Sequence, residues 1–156
     1  MDEIITERSA SMLRVELNRP VKKNAMTSSM YVTLADVFND AAKDERVRVV
    51  LWHGAGDSFC AGNDIEDFLK NPPGPGNFPQ ARLMKALVDF DKPLIAVVRG
   101  AAIGGGTTML MHCELRDAAR CPLWVKSGKA RPEHLLSAIP PKADVARSLR
   151  DVSFVP

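Results

Sequence analysis

Two short apolar runs each end in a cluster of glycines, and this arrangement narrows the possible architectures more than any other feature of the chain. Leu94-Ile95-Ala96-Val97-Val98 passes through Arg99 into Gly100-Ala101-Ala102-Ile103-Gly104-Gly105-Gly106, and residues 107–112 then read as helix. Earlier, Val47-Arg48-Val49-Val50-Leu51-Trp52 is rich in β-branched residues and is closed by Gly54-Ala55-Gly56. A short apolar run bounded by glycine is the pattern of a buried strand. Strands that alternate with helices need crossover connections, which lay the strands parallel in one sheet beneath the helices.

The rest of the first 114 residues fits that plan. Leu13, Val15 and Leu17 alternate with Arg14 and Glu16, as in a half-buried strand. From Met30, the residues Leu34, Val37, Phe38, Ala41 and Ala42 recur at helical spacing, with Asp36, Asp40 and Asp44 opposite and capping candidates at residues 27–29. A further helix is expected over residues 80–88, after a proline- and glycine-rich loop at residues 71–77. The fold class is therefore α/β.

Composition excludes several functions. A net charge of +2 over 156 residues gives no electrostatic case for nucleic acid or a membrane surface. Arg99 interrupts the most hydrophobic stretch, so no membrane span is expected, and the acidic start Met1-Asp2-Glu3 is unlike a secretory signal. Cys60, Cys113 and Cys121 read as reduced thiols, which points to a cytoplasmic protein without disulfides or a structural zinc. His53, His112 and His134 lie on separate segments and lack partners at ligand spacing, so no metal site is expected.

The charge is unevenly spread. Residues 1–114 hold 13 Lys and Arg against 15 Asp and Glu, whereas residues 115–156 hold 8 against 4 and five of the eleven prolines. Two units are therefore expected: a patterned core over 1–114 and a divergent, basic, proline-rich tail over 115–156, where only residues 145–152 read as a short helix.

Chemistry is expected at the two glycine-rich turns. Glycines at a helix start leave N–H groups pointing outward and let a ligand approach the backbone, where those donors can hold an anion or a developing oxyanion. Neither turn carries the dinucleotide fingerprint or the Gly-Lys-Ser/Thr of a P-loop. Either turn alone is accounted for by the fold; their joint occurrence, each after a strand, favours function.

Three blocks then carry a resemblance. Leu17-Asn18-Arg19-Pro20 with Asn24-Ala25-Met26, then Phe59-Cys60-Ala61-Gly62-Asn63-Asp64-Ile65, then Gly100-Ala101-Ala102-Ile103-Gly104-Gly105-Gly106 together resemble the crotonase superfamily, the enoyl-CoA hydratase/isomerase fold. The resemblance extends to about Glu114. It implies a crotonase-like ββα spiral core, here only its front part, with a partner of the acyl-CoA or enoyl-CoA class and no metal or redox cofactor; CoA enters as part of the substrate. It implies that the backbone N–H groups of Asn63 and Gly105 grip the thioester oxygen. Lys23, Ala25, Ala61, Asp64 and Ile65 would line the CoA path, although for Lys22 and Lys23 a solvated surface role is the better reading. Assembly into trimers or hexamers is also implied.

The family's hydratases carry a Glu two residues after the glycine triplet. That position is Thr108, which cannot act as a carboxylate base. The resemblance therefore leans to the isomerase branch, whose single Glu lies later in the chain; Glu133 in Arg131-Pro132-Glu133 is the candidate base. Three alternatives stay open: thioester hydrolysis, an acyl-CoA-binding remnant without turnover, and a reading-frame shift after residue 115 that produced the tail.

Overall fold

The structure, a computed structural model, describes residues 2–72, 74, 78–113 and, for the backbone, 115–117. Among these residues the elements run β1 (Ile4–Ser9), β2 (Met12–Leu17), α1 (Ser28–Lys43), β3 (Val49–Gly54), α2 (Ile65–Lys70), α3 (Pro79–Asp89), β4 (Leu94–Val97), α4 (Gly105–Leu110) and β5 (Leu115–Asp117). The five strands form one sheet in the order β1-β2-β3-β4-β5. β1 pairs antiparallel with β2, and the remaining pairs are parallel, as strands joined by crossover helices must be.

Register shows how the core is built. Val15 lies opposite Trp52, Trp52 opposite Ala96, and Val50 opposite Leu94, so alternate residues of three strands line one face. Val15, Val50, Trp52 and Ala96 are fully buried. Against this face packs the apolar stripe of α1, with Leu34, Ala35 and Phe38 at 0% exposure, together with Leu83 and Leu87 of α3. Phe38 and Trp52 meet edge to face at 5.2 Å between ring centroids, and Trp52 meets Phe59 in the same manner at 5.6 Å. Each such pair adds about 0.5–1.5 kcal/mol beyond area burial. Phe59 thus anchors the turn after β3 to the core.

The opposite face is polar where β1, β2 and β3 meet. The Arg14 guanidinium donates to Glu7, to Glu16 and, at 2.8 Å, to His53 Nε2. Burial holds His53 below its ordinary pKa, with Arg14 also opposing protonation and Glu16 favouring it.

Helix ends follow known rules. Thr27 caps α1, its hydroxyl accepting from Met30 N–H at 3.2 Å. Lys92 donates to the carbonyls of Ala41 and Asp44 at the other end of α1. The α4 helix begins at Gly105, two residues before the expected start, and its end tightens into bonds from Met111 to Thr108 and from His112 to Met109, each 3.1 Å. β3 begins at Val49 and not at Val47, because Val47 N–H still closes the turn onto Asp44 O at 2.9 Å. Most of the 71–77 loop and nearly all of the 115–156 tail, including the 145–152 segment, lie outside the described residues.

Candidate functional site

The site is assembled by backbone pairing between three distant segments. The turn after β4 lies against the turn after β3: the N–H groups of Phe59 and Cys60 both donate to Ala101 O at 3.0 Å, and Ile103 N–H donates to Cys60 O at 2.9 Å. Gly100 makes this approach possible, since it sits at φ +61° and a Cβ there would fall 1.9 Å from Asp57 O. On the other side, Met26 forms a parallel bridge with Asn63. Met26 N–H donates to Gly62 O at 2.7 Å, and Asp64 N–H donates to Met26 O at 2.8 Å. The three sequence blocks are therefore adjacent strips.

Bridging in this manner leaves Asn63 N–H on the side away from Met26, because successive backbone groups of an extended segment point in opposite directions. No acceptor for it is found among the described residues. Gly105 is the first residue of α4, so its N–H is one of the donors that a helix start leaves open, and it too has no acceptor among the described residues. These two residues are neighbours: a Cβ on Gly105 would lie 3.7 Å from Asn63 Oδ1. Beside them Gly104, at φ +54°, faces open space, with nothing within 4 Å of where its Cβ would be. Two N–H groups without acceptors among the described residues thus lie beside an open volume.

Gly106 sets the close packing behind this pair. A Cβ there would stand 2.9 Å from both Cβ and O of Cys60, so a side chain at residue 106 would push α4 off the 60–63 strip. Cys60 itself is fully buried, and burial pushes its thiol pKa up, which suits packing and not nucleophilic attack.

The other sequence-expected residues divide into two groups. Asp64 is buried, caps α2 by accepting from Asp67 N–H at 3.1 Å, and pairs with Arg19 at 2.9 Å. Those bonds, the Asp67 N–H first and Arg19 next, hold its carboxyl below the usual range. Ala25 gives its carbonyl to the Arg19 guanidinium. Both bond to Arg19, which the first block contains but to which sequence reading gave no role: Arg19 also pairs with Glu3 at 2.9 Å, tying the start of the chain before β1, the 24–26 segment and the α2 cap together.

Ile65 is 73% exposed, and Ala61 is half-buried with its N–H on Lys23 O at 3.0 Å. The Lys23 side chain is exposed, and the Lys22 ammonium lies 3.4 Å from Glu66. Thr108 is exposed, its hydroxyl donating to Gly104 O at 3.3 Å. Glu133 and His134 lie outside the described residues.

One site residue was missed by sequence reasoning. The Tyr31 hydroxyl donates to Asn63 Oδ1 at 2.6 Å. A polar atom on the otherwise apolar stripe of α1 is the signal that could have flagged it.

A family model described as enoyl-CoA hydratase/isomerase matches residues 7–152. The chain is 31% identical over 132 residues to 1,2-epoxyphenylacetyl-CoA isomerase of Escherichia coli (strain K12), covering 80% of this chain and 50% of that protein. It is 34% identical over 122 residues to enoyl-CoA hydratase EchA19 of Mycobacterium tuberculosis, covering 74% and 46% respectively. The solved structure of Pseudomonas aeruginosa OdaA superimposes with a TM-score of 0.70 at 46% identity, over 76% of this chain and 48% of that one. The chain spans about half the length of these relatives.

Proposed function

The chain belongs to the enoyl-CoA hydratase/isomerase family, and from that premise we propose that it binds acyl-CoA thioesters with the thioester oxygen held between the backbone N–H groups of Asn63 and Gly105. The observation that carries this reading is the meeting, on one open edge, of two donors from segments remote in sequence that have no acceptors among the described residues. Removing a proton beside the thioester carbonyl moves negative charge onto that oxygen. A fixed donor aimed at it is worth about 3–4 kcal/mol in the transition state, because it needs no reorganisation as the charge develops. CoA enters and leaves as part of the substrate.

The proton-moving group is assigned through the resemblance, which puts a single Glu later in the chain, at a Pro-Glu turn. Thr108 occupies the position from which a carboxylate would serve a hydratase, and its hydroxyl faces Gly104 O. Double-bond migration needs one carboxylate where hydration uses two, so isomerase-like chemistry with Glu133 as base is the reading we favour. The same threonine supports a second reading, an acyl-CoA-binding protein without turnover; hydrolysis of the thioester is a third outcome of the same assay.

The test is incubation of the purified chain with 2-enoyl-CoA and with 3-enoyl-CoA, following binding and turnover together. Interconversion of the two that is abolished by Glu133→Gln supports the isomerase. Binding without turnover supports the second reading, and release of free CoA supports hydrolysis. Absence of binding overturns all three. The proposed 115–156 tail is tested separately, by translating the gene one base out after residue 115 and asking whether family-like sequence appears. Family-type trimers or hexamers in solution and a cytoplasmic location are further expectations; among the described residues no helix is long and apolar enough to cross a membrane.

A further inference from the structure

The two unpaired N–H groups are spanned by a side chain that belongs to neither segment. Tyr31 sits on the buried stripe of α1 with Met30, Leu34 and Phe38, and its exposure is 2%. Core packing there requires an aromatic ring and nothing more. Carrying a hydroxyl into the core is unfavourable unless it is bonded, and this one is bonded to Asn63 Oδ1 at 2.6 Å. The same hydroxyl oxygen stands 2.7 Å from the place a Cβ would take on Gly105, so it rests directly against the glycine's Cα. The bridges that assemble the site pair Met26 with Asn63 and Cys60 with Ala102. Asn63 and Gly105 are neighbours, and Tyr31 touches both of them.

We infer that Tyr31 is a positioning residue, its hydroxyl holding Asn63 by a hydrogen bond and Gly105 by contact so that the two N–H donors keep a fixed separation. This rests on the thioester-binding reading above. Donors are effective to the degree that they are already in place, and a displacement of a fraction of an ångström weakens them. Burial, and to a lesser degree Cys60, raises the Tyr31 pKa well above that of a free phenol, so the hydroxyl remains a donor throughout the neutral range. Asn63 is exposed, which places this buried anchor directly beneath a solvent-facing residue.

The test uses the full chain and the variants Tyr31→Phe and Asn63→Ala, with cinnamoyl-CoA as probe. Its absorbance moves to longer wavelength when the thioester carbonyl is polarised, whether or not turnover occurs, and affinity for free CoA is measured in parallel. The expected result is a red shift in the parent that shrinks in both variants. Cinnamoyl-CoA binding should weaken by about 2- to 10-fold, the range for one net hydrogen bond, with free-CoA affinity unchanged. The double variant should be no worse than either single one. A parent that shifts the probe while Tyr31→Phe retains the whole shift overturns this inference alone. Should Tyr31→Phe fail to fold, a full shift in Asn63→Ala overturns it equally. A parent that binds the probe with no shift overturns the thioester-oxygen reading and this inference with it.

Discussion

Adding a methyl group to Gly105 should be harmful or harmless according to one oxygen atom elsewhere in the chain. In Gly105→Ala the new Cβ would stand 2.7 Å from the Tyr31 hydroxyl, well inside contact distance. The Tyr31 ring is buried in the core and cannot swing aside, so either α4 or α1 must shift. Overpacking of this kind destabilises by about 1–3 kcal/mol. At roughly 2–4 °C per kcal/mol for a chain of this size, Gly105→Ala alone should melt about 2–12 °C below the parent.

Tyr31→Phe removes the offending atom. The nearest remaining neighbours of that Cβ are then Asn63 Oδ1 at 3.7 Å and the ring carbon Cζ at 4.0 Å, both ordinary contacts. Tyr31→Phe alone forfeits one net hydrogen bond, about 0.5–1.5 kcal/mol. Introducing alanine into that background should be neutral, or stabilising by up to about 1 kcal/mol through the lost freedom of glycine in the unfolded chain. The four proteins therefore form a cycle with an interaction energy of about 1–4 kcal/mol, favouring the double variant over the sum of its parts. Urea unfolding of all four measures it. If Gly105→Ala is equally destabilising in both backgrounds, to within about 0.5 kcal/mol, the hydroxyl does not lie against Gly105 and the account of Tyr31 falls.

Three further outcomes are expected. Asn24 is fully buried at a positive φ, its Oδ1 accepting from Arg19 N–H at 2.9 Å and its Nδ2 donating to Ala55 O at 2.8 Å and Ser58 O at 2.7 Å. Asn24→Ala strands those backbone groups and should lower unfolding free energy by about 2–5 kcal/mol, as read from denaturant titration. Gly100→Ala combines a left-handed backbone with a Cβ 1.9 Å from Asp57 O, so it should lose at least about 2 kcal/mol in the same titration and weaken acyl-CoA binding by separating the two turns. Asp64 has a depressed pKa in the folded chain. Its contribution to stability is thus full above the ordinary carboxylate value of 3.8 and disappears as pH falls through the lower, folded value. The stability gap between the parent and Asp64→Asn should be constant at neutral pH and shrink below about pH 4, as measured by thermal melts across pH.

What could be read from the residues depended on whether burial left a pattern. β2 and α1 each bury one face, so alternation or helical spacing exposed them in the sequence, whereas β4 showed as a short apolar run closed by glycine. β1 buries almost nothing: its residues are exposed along nearly its whole length, and it is held by backbone bonds to β2, which carry no compositional mark. The helix α2 has no buried residue, so periodicity had nothing to report beyond the turn that precedes it. The two glycine-rich turns were legible because glycine is demanded where backbones touch, as at Gly100 and Gly106. Family resemblance gave Asp64 and Ala25 a place on a ligand path but no sign of the bonds that their side chain and carbonyl make to Arg19, which span distant segments. The pairing of Tyr31 with Asn63, 32 residues apart, depends on how α1 is laid across the sheet, and no local pattern encodes it.

The parallel arrangement of β2 through β5 has a consequence in time as well as in space. Each parallel pair closes a long loop before its ladder bonds can form, and sheets dominated by such pairings fold slowly. The strips carrying Met26, Asn63 and Ala102 meet through isolated bridges and not through long ladders, so no fragment ending before β4 can hold them in register. Affinity for an acyl thioester should then appear in the last kinetic phase of refolding, after Trp52 is buried. It would make ligand capture a clock for completion of the sheet.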